Sequence, residues 1–144
     1  MGKVNVGRVI LGGLVAGIIF DILGYLVDGL WLAPRWAAAM TALGHPDFSL
    51  HQWIYLNLLG LITGIVVVWV YAGFRPRYGA GPRTAILAGA LVWVVGMFVP
   101  NLTFMWVSHL FSHHLTELTT AAALIEIIVG AIAGAALYRE SAAT

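Results

Sequence analysis

The sequence predicts an all-α integral membrane fold, a single bundle of four transmembrane helices with both chain ends on the cytoplasmic side. Three observations carry this. Of 144 residues, 61% are hydrophobic and 9% charged, whereas a domain covered by water carries roughly a quarter charged. Four apolar runs each approach or exceed the ~20 residues that span a hydrocarbon core. Six of the seven Lys and Arg residues fall between or beyond these runs on one common side. The positive-inside rule makes that side cytoplasmic.

The runs lie at about 9–32, 53–74, 84–107 and 120–138, within one domain, 1–144. Lys3 and Arg8 precede the first, as they would in a signal peptide. The run is too long for one, however, and holds Asp21 in its apolar stretch, so it reads as a retained helix. Between the first two runs, Trp36-Ala37-Ala38-Ala39-Met40 predicts a short interfacial helix in the first outer loop. Ser49 with Gln52 three residues on is the pattern of a capping box opening the second helix. Arg75-Pro76-Arg77-Tyr78-Gly79-Ala80-Gly81-Pro82-Arg83 reads as a tight inner turn, broken by two prolines and two glycines. Trp31, Trp36, Trp53, Trp69, Tyr71 and Tyr78 gather near helix ends as an aromatic belt.

Glycines four apart mark the packing faces: Gly13 and Gly17, Gly60 and Gly64, Gly130 and Gly134. In lipid, close backbone approach at small residues supplies much of the association between helices. Polar residues share these faces by helical spacing. Asp21 is four beyond Gly17, Asp28 seven beyond Asp21, Glu126 four before Gly130, and Asn57 three before Gly60. At 1.5 Å per residue Asp21 is about 18 Å from the inner end of its run, and Glu126 about 9 Å from the outer end of its own. Pro100 withholds an N–H in the third run, next to Asn101. The expectation is one polar cluster in the outer half, formed by Asp21, Asn57, Asn101 and Glu126 with Asp28 near its mouth. It serves either as hydrogen-bonded packing glue or as a ligand site.

All five histidines fall on the outer side. His109, His113 and Glu117 are spaced four apart, with His114 adjacent, which suits zinc or copper if one helix carries them. Cys is absent, so thiolate metal sites and disulfides are excluded. No metalloprotease, phosphate-binding, dinucleotide-binding or nucleophile-elbow motif is present, so no catalytic residue is assigned and an enzyme is not expected. The net charge of +1 argues against a nucleic-acid partner, which requires a concentrated basic face.

The phrases Trp36-Ala37-Ala38-Ala39-Met40 with Leu43-Gly44, Tyr71-Ala72 before Arg75-Pro76-Arg77-Tyr78-Gly79, and Leu137-Tyr138-Arg139-Glu140 resemble those of small bacterial four-span membrane proteins. The resemblance implies a bacterial plasma membrane and four spans. It brings no activity, because none is attached to that family.

The preferred function is a non-enzymatic accessory or structural subunit, associating with copies of itself or a larger membrane complex through small-residue helix faces. The alternative is binding or permeation of a cation, metal or small polar ligand through the outer acid, amide and histidine residues. The topology is checked by single cysteines in intact cells. Cysteines at Ser49 and Ser112 should react with an impermeant thiol reagent and one at Ala80 should not; labelling confined to position 80 inverts the orientation.

Overall fold

The computed structural model describes residues 4–45 and 48–140; Lys3, counted above among the inner cations, lies outside them. All regular structure among the described residues is helical. Helix α1 (Val6–Gly24) continues as a π-helical segment, Tyr25–Trp31, and is followed by α2 (Ala33–Ala42) and α3 (Leu50–Tyr78). Helix α4 (Pro82–Trp93) runs through a π segment (Val94–Phe98), α5 (Val99–Thr103) and a second π segment (Phe104–Ser108), and α6 (His113–Ala136) closes the chain. Four stretches are long and apolar enough to cross a membrane: Val6–Trp31, Leu50–Tyr78, Pro82–Ser108 and His113–Ala136. The chain is thus a multi-pass membrane protein.

Local chemistry sets the boundaries. Asn5 caps α1 by accepting from the Arg8 N–H at 3.1 Å. The Ser49–Gln52 capping box forms in both directions, at 2.7 and 3.3 Å. Ser112 caps α6, accepting from the Leu115 N–H at 3.3 Å. The last helix therefore starts at His113 and not near residue 120. Its first turns tolerate Thr116, Thr119 and Thr120 because each hydroxyl donates to a carbonyl one turn back, on Ser112, Leu115 and Thr116. This satisfies the hydroxyls without a partner helix.

The predicted inner turn is shorter than its composition suggests. Helix α3 runs through Pro76 to Tyr78, so Arg75 and Arg77 sit in its last turn, where the negative end of the helix dipole favours cations. The turn proper is Gly79–Gly81, with φ of +83° at Gly79 and +130° at Gly81, values that a side chain would strain. The Tyr71 hydroxyl accepts from the Gly81 N–H at 3.1 Å.

In the third span, Pro100 cannot donate to the carbonyl four residues back, on Gly96. Gly96 lies within the first π segment, where Val99 N–H reaches back to Val94, the longer register that a π turn provides. The helix absorbs the proline by widening, which keeps its backbone bonded where lipid offers no donors.

Helix α1 packs most extensively against α3 and next against α6, while α4 completes a four-membered ring by packing on α6 and α3. The core lies towards the end that carries the chain termini and includes Val9, Ala16, Phe20, Val67, Val68, Ala85, Ala88, Ile127 and Ala131. Its closeness depends on missing β-carbons. A Cβ on Gly17 would stand 2.5 Å from the Leu61 Cα, and one on Gly64 would meet the backbone of Gly13 and Gly17. On the α6 side, a Cβ on either Gly12 or Gly134 would come within 2.5 Å of the other's carbonyl oxygen.

The terminal end is tied polar to aromatic. The Asn5 N–H donates to the Tyr138 hydroxyl at 3.4 Å, and Tyr71 meets the Tyr138 ring edge-on at 6.0 Å. Arg75 lies 5.4 Å from the Tyr138 ring centroid and pairs with Glu140 at 3.5 Å.

These contacts predict that Gly17→Val, which forces a side chain into backbone, lowers stability in detergent by about 1–3 kcal/mol. Gly73→Ala, where a Cβ meets nothing within 4 Å, should leave the melting temperature unchanged or slightly raised. Equal tolerance at both positions would mean that α1 and α3 do not meet at the glycines.

Candidate functional site

The polar residues expected to form one cluster occupy three places, and no hydrogen bond joins Asp21, Asn57, Asn101 and Glu126 to one another among the described residues. Each place is set by which neighbour α1, α3, α6 or the third span presents.

The first place is the joint between the third span and α6. The Asn101 amide donates to the Thr120 hydroxyl at 2.7 Å, and the Trp93 indole N–H donates to the Thr120 carbonyl at 2.9 Å. Asn101 is packing glue here. It ties the third span to α6 at Thr120.

The second place lies between α1 and α6. Glu126 stands level with Gly24, its Oε2 being 3.7 Å from where a Cβ on that glycine would stand. Its Oε1 is buried and accepts no hydrogen bond. Asp28 is near enough to act on Glu126 electrostatically, and its Oδ1 accepts from the Trp36 indole N–H at 3.0 Å. The Trp36 ring packs edge-on against Phe111 at 5.2 Å, so α2 and the segment before α6 meet beside the acids.

Asp28 does not share the Asp21 face, contrary to its seven-residue spacing. Four of those seven residues, Tyr25 to Asp28, are π-helical. A π turn takes more residues than an α turn, so the side chain falls short of the Asp21 azimuth and turns towards α2 and α6. Sequence spacing also missed Trp36 as the donor for Asp28. The signal was a buried acid eight residues before an indole in a predicted helix, which is weak.

The third place is an open groove of about 380 Å³ between α1 and α3, lined by Ile18, Asp21, Ile22, Tyr25, Leu26 and Asn57. The Asp21 carboxylate lies directly against the Gly60 Cα, in the space a Cβ would fill. Asn57 is exposed and donates its amide to the Trp53 carbonyl of its own helix at 2.7 Å.

The histidines do not lie on one helix. The third span ends at Ser108, His109 adopts a left-handed conformation with φ of +49°, and α6 begins only at His113. The His109 and His113 rings stack at 6.2 Å, and Trp106 meets His113 edge-on at 4.7 Å. His114 and Glu117 are exposed on α6. No group of three or more His, Asp or Glu residues gathers at metal-holding distance among the described residues, which removes the geometric basis for zinc or copper at His109, His113, Glu117 and His114.

No protein-family model matches the chain, and neither a curated protein nor a solved structure is detectably similar to it.

The two buried polar places differ in a way that mutation separates. Glu126→Gln removes a charge whose Oε1 has no donor, so stability should hold or rise. A double-mutant cycle on Asn101→Leu and Thr120→Val should give a coupling of about 0.5–1.5 kcal/mol. Loss of stability on Glu126→Gln, or zero coupling at Asn101, would contradict these assignments.

Proposed function

We propose that the protein is a non-enzymatic accessory subunit of a larger membrane complex, docked through the α1–α3 groove. The observation that carries this is the Asp21–Asn57 pair, which opens onto a surface that would otherwise meet lipid. A carboxylate inside a membrane span is costly unless a partner satisfies it, and such residues normally face protein or water. Lipid tails supply neither donor nor charge.

The small-residue stripes are less available for this association. Gly13, Gly17, Gly64, Gly130 and Gly134 are engaged within the chain, which leaves the polar groove as the distinctive outer surface. The setting proposed is a bacterial plasma membrane, with both termini cytoplasmic. Arg8, Arg75, Arg77, Arg83 and Arg139 belong to the terminal end, and Arg35 lies at the other. Helix α2, with Arg35 and Trp36, would lie at the outer interface.

A second reading is favoured by one observation, the donorless Oε1 of Glu126 beside Asp28. A cation or small polar donor binding between α1 and α6 would satisfy both acids.

Photo-crosslinking residues at Ile22 and Leu26, in native membranes, test the docking reading, with lipid-facing Ile125 as control. The expected outcome is a discrete adduct with another membrane protein from the groove positions, absent from Ile125 and lost on Asp21→Leu. Lipid adducts alone at Ile22 and Leu26 would overturn it.

A further inference from the structure

We propose that the α1–α3 groove receives a transmembrane helix of another protein that carries a lysine or arginine at the level of Asp21. This rests on the subunit reading above and names the chemistry of the partner.

The groove presents acceptors without a cation. Asp21 offers two carboxylate oxygens and has no hydrogen-bond partner among the described residues. The Asn57 amide nitrogen is already engaged with the Trp53 carbonyl at 2.7 Å, which leaves its Oδ1 as a further acceptor. Tyr25 lies along its own helix, with its ring against Gly29. The rest of the lining, Ile18, Ile22 and Leu26, is apolar and about half exposed. An apolar rim around an acceptor pair matches the side of a helix with one donor-rich group in its middle. Lysine provides three donors and arginine five, each with the opposite charge.

Asp21 lies well inside its span, 15 residues from Val6 and 10 from Trp31, so a charge that meets it is best carried by a neighbouring helix. Gly60 holds it there. With no Cβ on α3 at that point, the carboxylate seats against backbone between the helices and still opens to the groove.

Among the described residues, a second copy of this chain offers no cation at that level: Arg8, Arg75, Arg77 and Arg83 sit at the terminal ends of their spans, Arg139 beyond the end of α6, and Arg35 in α2 beyond the first span. None reaches the level of Asp21 in a parallel neighbour, and an inverted neighbour carries them to the opposite surface. The partner is therefore a different protein.

The test uses the full-length protein, fluorescently labelled, in phosphatidylcholine vesicles. The probes are three synthetic single-span helices of about 20 leucine and alanine residues, with lysine, glutamine or leucine at the centre. Energy transfer measures association. The lysine probe should bind about tenfold more tightly than the leucine probe, with the glutamine probe in between. Asp21→Asn, of the same shape, should abolish the lysine preference, while Glu117→Gln, an acid outside the groove, should retain it.

Equal binding of the lysine and leucine probes would overturn the proposal. So would a lysine preference that survives Asp21→Asn, or Asp21-dependent self-association in the absence of probe. A groove that crosslinks to a membrane protein but shows no lysine preference would leave the subunit reading standing and remove only the cationic partner. A groove that crosslinks to lipid alone would remove the subunit reading itself.

Discussion

Backbone-to-backbone contact between α1 and α3 is the constraint on which the remaining geometry depends. Gly13 and Gly17 lie against Ile65, Leu61 and Gly64 so closely that a single methyl group has no room. In lipid, where burying apolar surface brings little gain, the dispersion and weak polar contacts of such an approach are the main attraction between helices. Because α1 also meets α6 at Gly12 and Gly134, it acts as the hub, and α4 is left to close the ring. The same closeness that brings the helices together brings Asp21 onto Gly60, so the carboxylate's position follows from the glycine packing.

The two ends of the bundle are held differently. At the terminal end, Tyr71, Tyr138, Arg75 and Glu140 join α3 to the segment after α6, and Asn5 links the start of α1 to the same tyrosine. Towards the other end the main core cluster gives out, and polar side chains link the helices. Asn101 and Trp93 hold Thr120, and Trp36 holds Asp28. All three π segments, Tyr25–Trp31, Val94–Phe98 and Phe104–Ser108, lie in this half of their spans. They move side chains off the faces that regular helical spacing would give them, which is how Asp28 comes to sit beside Glu126 and apart from Asp21. Π turns of this sort often mark functional positions in helices, and here one of them carries Asp28, which faces Glu126, whose Oε1 is buried without a donor.

Spacing alone made two placements legible. The positions of Asp21 and Glu126 on glycine-bearing faces followed from residues four apart on regular helix, and both faces are contact faces. The failures share one cause, departure from regular helical rotation. His109 and His113 are four apart in sequence, but a left-handed residue and a new N-cap at Ser112 stand between them. The fourth apolar run begins only at about residue 120 in the sequence, because spacing does not reveal that the hydroxyls of Thr116 and Thr119 bond back to their own helix. Pro76 and Pro82 read as two breaks, yet the first lies in the last turn of α3, where few helical bonds remain to lose.

By itself the sequence determined the solvent, the number of spans and the cap at Ser49, because apolar run length and local hydrogen bonding are properties of neighbouring residues. It also placed Asp21 and Glu126 on faces shared with glycines four residues away. Only the tertiary structure decided which glycine face meets which helix, and hence that Asp21 and Asn57 open outward while Glu126 of α6 turns towards Gly24 and Asp28 towards α2 and α6. That choice depends on how four helices divide a limited set of close contacts, and on π turns that rotate one side chain relative to another. Neither is a property of any single stretch of chain.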